Sequence, residues 1–174
     1  EKLVQGSKVY IFGGGHVAQE AVPTLARVNF DCIVLEDRED FAKPELFPGA
    51  RRTRLVDMEH LEEVCRDITS DDYICVMTRG HQHDFLVEKQ ILRTPASYIG
   101  VIGSRKKKEA VFAKLRQEGY TDQDLARIKT PMGLDIQAET PAEIAVSIAA
   151  EMIMERARRN HIERPNEGGK EPCV

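Results

Sequence analysis

Short apolar runs alternate along the chain with longer stretches whose apolar positions recur every three or four residues. The runs Lys8–Phe12, Asp31–Glu36, Thr53–Val56 (the weakest), Tyr73–Met77 and Tyr98–Ile102 predict strands. The stretches His16–Val28, Met58–Asp67, Asp84–Arg93, Ser104–Glu118 and Pro141–Arg159 predict helices. Continuous rather than alternating apolar strands belong to a sheet covered on both faces, and a strand–helix rhythm gives parallel pairing. The predicted fold is therefore α/β, a doubly wound, mostly parallel sheet in three layers. Pro23 falls inside the first helix and predicts a kink near residue 19. A short helical turn over Asp122–Ile128 begins at Thr121.

The last helix has a readable start. Thr140 suits the N-cap, Pro141 the first helical position, and Glu143 closes a capping box. Glu143, Ser147, Glu151 and Glu155 make one narrow polar stripe. Ile144, Ala145, Ile148, Ala149, Met152 and Ile153 make one apolar face, and Val146, Ala150 and Met154 a second. A helix apolar on most sides is buried on most sides. The sheet covers one face, so either a second subunit or domain covers the other, or the helix is buried wholly within its own domain.

The first strand stops at three glycines, and a helical pattern follows at once. Gly13, Gly15 and Ala18 fit the G-x-G-x-x-G/A pattern of a Rossmann-like nucleotide-binding turn, with Gly14 between them and His16 opening the helix. Glycine permits the tight turn, brings backbone close to a pyrophosphate, and leaves the helix N-terminus to face the negative charge. The second strand ends in Glu36 and Asp37, about where an acid meets a ribose hydroxyl. Arg38 follows directly and suits a phosphate or another acidic ligand instead.

Composition narrows the choices. The 174 residues make one domain, read as 1–159 with a polar tail at 160–174. The net charge of −4 gives no reason to expect nucleic acid, and no stretch is long and apolar enough to span a membrane. Cys32, Cys65 and Cys75 lie in apolar segments and read as buried thiols of a cytoplasmic protein; Cys173 sits in the tail. No secretory signal is visible, and the chain opens on Glu1 rather than methionine, as one lacking a preceding region would.

Two further segments lie past strand ends, where ligands bind in open α/β sheets. After Tyr73–Met77 come Thr78, Arg79, Gly80, His81, Gln82, His83 and Asp84. One reading makes Asp84 a helix N-cap and the histidines loop hydrogen-bonders. The other gives His81 or Asp84 acid–base work, with Thr78 and His83 beside the ligand. A metal site lacks a clear further ligand. After Tyr98–Ile102, Arg105, Lys106, Lys107 and Lys108 crowd the first turn of a helix, where the macrodipole disfavours cations. An anionic ligand held by the amides of Gly103 and Ser104 and the side chains of Arg105 or Lys106 explains them, with Lys107 and Lys108 directed at solvent. In the segment Pro131–Pro141, Gly133 and Asp135 suit a turn.

The stretches IFGGGHVAQE, LEDREDFAKPELFP, VMTRGHQHD, YIGVIGSRKK and GLDIQAETPAEIAVSIAAE resemble, in order, the C-terminal Rossmann domain of the xanthine dehydrogenase accessory factor family. They cover nearly all of residues 8–155. The resemblance implies a role in maturing molybdenum hydroxylases: binding the molybdenum–pterin cofactor, assisting its sulfuration, and loading it into the apo-enzyme. It also implies a homodimer, with the apo-enzyme and a cysteine desulfurase as partners. Family members usually carry an N-terminal domain with a glycine-flanked cysteine, which lies outside these residues. Gln137 stands where the family pattern usually has glycine. Competing readings are an NAD(P)-dependent oxidoreductase with His81 as its acid–base, and a nucleotide-responsive interaction module without chemistry.

Overall fold

The computed structural model describes residues 6–163. Six strands lie in the order β3-β2-β1-β4-β5-β6, and every neighbouring pair is parallel. They are β1 (Ser7–Phe12), β2 (Phe30–Glu36), β3 (Arg52–Leu55), β4 (Tyr73–Val76), β5 (Tyr98–Val101) and β6 (Ile128–Lys129). The helices are α1 (His16–Arg27), α2 (Glu62–Asp67), α3 (Gly80–Ile91), α4 (Arg105–Gln117), α5 (Asp122–Leu125) and α6 (Pro141–Glu163). This is the doubly wound α/β architecture that the apolar pattern predicts. The strand order reverses at β1, so the crevice between β1 and β4 is the switch point where such sheets take ligands.

Period-two alternation builds the layers. Val9 and Ile11 face one side of β1, where Cys32, Val34 and Cys75 join Ala21, Leu25, Ile148 and Met152 of α1 and α6. Tyr10 and Phe12 face the other, with Ile74, Val76 and Ile99 against Val64, Val87, Ile91 and Leu115 of α2, α3 and α4. Each Val, Leu, Ile, Phe or Met among them, fully buried, contributes about 1.5–3 kcal/mol. The two edges differ from this interior. On β3, Arg52 and Leu55 are exposed, and Arg54 is half-buried; β6 is only two residues long.

Several local expectations need correction. Helix α3 starts at Gly80, not Asp84, because Gly80 adopts φ +84° and turns the chain into the helix early. Asp84 is therefore no N-cap; it is 1% exposed inside the helix. Helix α2 begins at Glu62 rather than Met58. Helix α1 spans His16–Arg27 with Pro23 inside it, where the sequence places it. The capping box of Thr140 with Glu143 forms as expected; Thr121 caps a turn shorter than expected, Asp122–Leu125, because Ile128 joins the sheet. The polar stripe of α6 turns inward: Ser147 and Glu151 are buried, while Val146 and Ile153 are exposed. Glu151 is drawn in by three donors, the Tyr98 hydroxyl (2.6 Å), the Gly133 amide (2.8 Å) and Lys129 Nζ (2.8 Å). Helix α6 continues to Glu163; Cys173 and the rest of the tail lie outside the described residues. Cys32 and Cys75 are buried free thiols, and Cys65 is half-buried.

Candidate functional site

The carboxyl ends of β2, β1, β4 and β5 stand in that order along one rim. The glycine turn follows β1. Gly13 sits at φ +106°, and a Cβ there would fall 2.4 Å from the Met77 carbonyl oxygen, so the position accepts only glycine. Its amide donates to Leu35 O (2.8 Å), and Met77 N donates to Phe12 O (2.7 Å), which pins the turn between β2 and β4. A Cβ on Gly14 would press on Phe47 Cζ at 2.9 Å. A Cβ on Gly15 would meet nothing within 4 Å. Gly15 is the N-cap of α1, whose first turn has neither a side-chain cap nor an acid, and His16 beside it is exposed. Ala18 is buried against the sheet. The start of α1 is thus uncapped, with open space beside Gly15.

The second strand end behaves differently from the expectation. Glu36 does not reach outward to a ribose. It is 1% exposed, and its carboxylate accepts from Gly14 N (2.6 Å), Asp37 N (2.9 Å), Arg38 N (3.0 Å), Arg38 Nε (3.1 Å) and Arg38 Nη2 (3.0 Å). Burial alone would push its pKa up, but the donors of Arg38, Asp37 and Gly14 outweigh it and hold the acid down at about 2. Arg38 is likewise committed: besides Glu36, its guanidinium lies 3.8 Å above the Phe41 ring. Asp37 remains at the mouth. It accepts from Arg79 Nη1 (3.2 Å) and Nη2 (3.1 Å), and His83 Nε2 is 3.8 Å away.

Below the β4 end, Asp84 is a tie rather than a surface acid. Thr78 Oγ1 donates to Asp84 Oδ1, and Lys107 Nζ pairs with Oδ2 at 2.6 Å. Lys107 is thus not directed at solvent; it neutralises a buried carboxylate across the α3–α4 interface. Lys108 lies over the Phe112 ring at 5.2 Å. One turn beyond Asp84, Glu88 is 2% exposed, and its Oε2 has no hydrogen-bond partner. Burial, with Asp84 nearby, raises its pKa to about 8. Both acids line a cavity of about 10 Å³ with Lys107 and Phe112. His81 is exposed on the first turn of α3. After β5, Ser104 Oγ caps α4 by accepting from Lys107 N (3.2 Å), and Arg105 and Lys106 are exposed beside Gly103.

The loop after β6 is riveted to α6. Gly133 donates to Glu151, and Ser147 Oγ donates to Leu134 O at 2.5 Å. Gln137 adopts φ +58°, the left-handed conformation that glycine takes freely, which explains the family's usual glycine there. A cavity of about 580 Å³ lies at the opposite rim, lined by Lys8, Asp31, Asp72 and Arg156 among others. It does not include the glycine turn, and ion pairs line its wall, Lys8–Asp72 (3.6 Å) and Arg51–Asp31 (2.7 Å).

The rim therefore brings together Gly13–His16, Asp37, His83 and the newly placed Arg79, while Glu36, Arg38, Thr78 and Asp84 serve the scaffold. The roles of Arg79, Lys107 and Glu88 were missed; only strand order, which puts β2 and β4 on either side of β1, could have singled out Arg79. Among the described residues, no three His, Cys, Asp or Glu side chains gather as metal ligands, and no helix is long and apolar enough to cross a membrane.

This strand order, with a glycine turn opening a helix at its switch point, defines a Rossmann-type domain. The chain belongs to the XdhC Rossmann domain family, whose pattern it matches over residues 9–152. It is 30% identical over 148 residues to YqeB of Escherichia coli (strain K12), covering 84% of this chain and 27% of that protein. It is 27% identical over 158 residues to a protein of Bacillus subtilis (strain 168) named as a probable xanthine dehydrogenase subunit, covering 91% of this chain and 46% of that one. A crystal structure described as a xanthine dehydrogenase from Bacillus halodurans superposes with a TM-score of 0.75 at 27% identity, over 88% of this chain and 44% of the other. The chain thus spans less than half the length of these relatives.

Proposed function

We propose that this domain serves the maturation of a xanthine dehydrogenase-type molybdenum hydroxylase. It binds a phosphate-bearing ligand, the molybdenum–pterin cofactor or a nucleotide, at the turn Gly13–Ala18, and assists cofactor sulfuration and insertion. The observation that carries the ligand reading is the open space beside Gly15 at the uncapped start of α1. Room beside an uncapped helix start favours a phosphate there. The usual dinucleotide arrangement fits less well, because the buried Glu36 is saturated by Arg38 and Gly14 rather than offered to a ribose. His16, and Gly103, Ser104, Arg105 and Lys106 past the β5 end of the same rim, are the further ligand contacts this reading calls for.

Family membership and the names of the relatives support the association with xanthine dehydrogenase. The apo-enzyme and a cysteine desulfurase are the partners this role calls for. The exposed Val146 and Ile153 of α6 supply an apolar surface for a homodimer. The free thiols support a reducing cytoplasm. Mass spectrometry of small molecules released from the purified, denatured protein tests the ligand. A pterin or its degradation product supports cofactor handling; a nicotinamide dinucleotide shifts the reading toward an NAD(P)-dependent oxidoreductase or a nucleotide-responsive module. Dispensability of the full-length protein for molybdenum hydroxylase activity in its host would overturn the maturation role.

A further inference from the structure

The ion pair at the mouth of the rim has a geometry that sets it apart from the other surface pairs. Asp37 stands just past β2, and Arg79 stands just past β4, with β1 between them. Adjacent strands lie about 4.8 Å apart, so the two residues start roughly 10 Å from each other. They meet only because both side chains reach across the end of β1, in front of the glycine turn. The contact is two-pronged, Nη1 to Oδ1 at 3.2 Å and Nη2 to Oδ2 at 3.1 Å. The turn itself touches the segment carrying the arginine: a Cβ on Gly13 would lie 3.0 Å from Thr78 Cα.

The pair is built to be exchanged. Arg79 is 46% and Asp37 24% exposed, and half-exposed pairs contribute little to stability. Among the described residues, Arg79 makes no other ion pair. By contrast, Arg38 is fixed to Glu36 and stacked on Phe41. Burial and the neighbouring Glu36 hold the Asp37 acid above its ordinary value even with Arg79 beside it. A guanidinium fork that fits a carboxylate fits a phosphoryl group equally well.

We propose that Arg79 reads the anionic phosphoryl group of the ligand, and that Asp37 holds Arg79 across the mouth until that group takes its place. This rests on the phosphate reading of the Gly13–Ala18 turn. It makes Asp37 a competitor of the ligand rather than its ribose acid, and it favours ligands with exposed phosphoryl charge over neutral sugars or bases.

Titration with inorganic pyrophosphate by calorimetry tests it, with folding of each variant checked by thermal melting. Arg79→Gln is expected to weaken binding at least tenfold. Asp37→Asn is expected to tighten it at least threefold, and that gain is expected to vanish in the double variant. A gain of equal size with and without Arg79 means that Asp37 acts only through a diffuse field, and it overturns the clasp. So does an effect of Arg79→Gln below twofold. In either case the phosphate reading survives if wild type binds and Gly15→Asp, which sets a carboxylate at the turn, does not. Failure of both wild type and Asp37→Asn to bind overturns the phosphate reading and the clasp together.

Discussion

The two halves of the rim put a buried glutamate to opposite use. Glu36, behind the β1–β2 half, is 1% exposed, and Glu88, behind the β4–β5 half, is 2% exposed. Burial raises both acids, and Glu88, the deeper of the two, more strongly. Yet Glu36 is held down at about 2 and Glu88 is pushed up to about 8. Donors decide the difference: Glu36 accepts from a backbone amide of the glycine turn and from a guanidinium, while Glu88 Oε2 accepts from nothing. The first half is therefore an ionised strut that shapes the glycine turn. The second half stores a proton at neutral pH.

Four experiments test this contrast, the largest effect first. Glu36→Gln removes the partner of Arg38 and weakens the hold on Gly14. It is expected to destabilise the fold by about 2–4 kcal/mol in urea unfolding at pH 7, whereas Glu88→Gln, which replaces a protonated acid, stays within about 1 kcal/mol. Similar losses for both would break the comparison. Lys107→Ala leaves the Asp84 carboxylate buried without its cation and is expected to destabilise by about 2–3 kcal/mol. Lys108→Ala, next to it, is expected to fall within about 0.5 kcal/mol.

The pH dependence sharpens the contrast further. Glu88 titrates higher in the folded protein than unfolded, so its contribution is fully present below about 4.5 and is lost as pH rises toward and through about 8. Wild type should lose on the order of 2 kcal/mol relative to Glu88→Gln between roughly pH 6 and 9. Glu36 has the opposite sign: its contribution is present above about 4.5 and is lost as pH falls toward about 2. Parallel curves for wild type and Glu88→Gln across the alkaline range would show that Glu88 is ionised in the fold. The smallest effect is that of Gly15→Asp. There is room for the side chain, and an acid at the N-cap should stabilise α1 by about 0.3 kcal/mol while abolishing pyrophosphate binding. A destabilised variant that still binds would remove the β1 half from the ligand site.

The sequence pattern carried the five longer strands and the turn at Gly13, because apolar runs and glycine punctuation are local signals. It could not carry β6, whose two residues are too few to show a period. The start of α3 was misplaced because aspartate favours N-caps, and nothing local reveals that Thr78 and Lys107 draw Asp84 inside. The polar stripe of α6 did not show that Ser147 and Glu151 are buried, since their partners, Leu134, Tyr98 and Lys129, are distant in sequence. Arg38 next to Glu36 suggested a phosphate contact; the fold spends it on its own neighbour instead.

The blunted margins of the sheet bear on how copies of this protein come together. One border strand carries Arg52 and Arg54, and the other offers only Ile128 and Lys129 for pairing. Neither offers a long, uncharged backbone ladder, so strand-by-strand fibril growth and continuous intermolecular sheets are disfavoured from both sides. Association through helical surfaces, by contrast, can be finite and reversible.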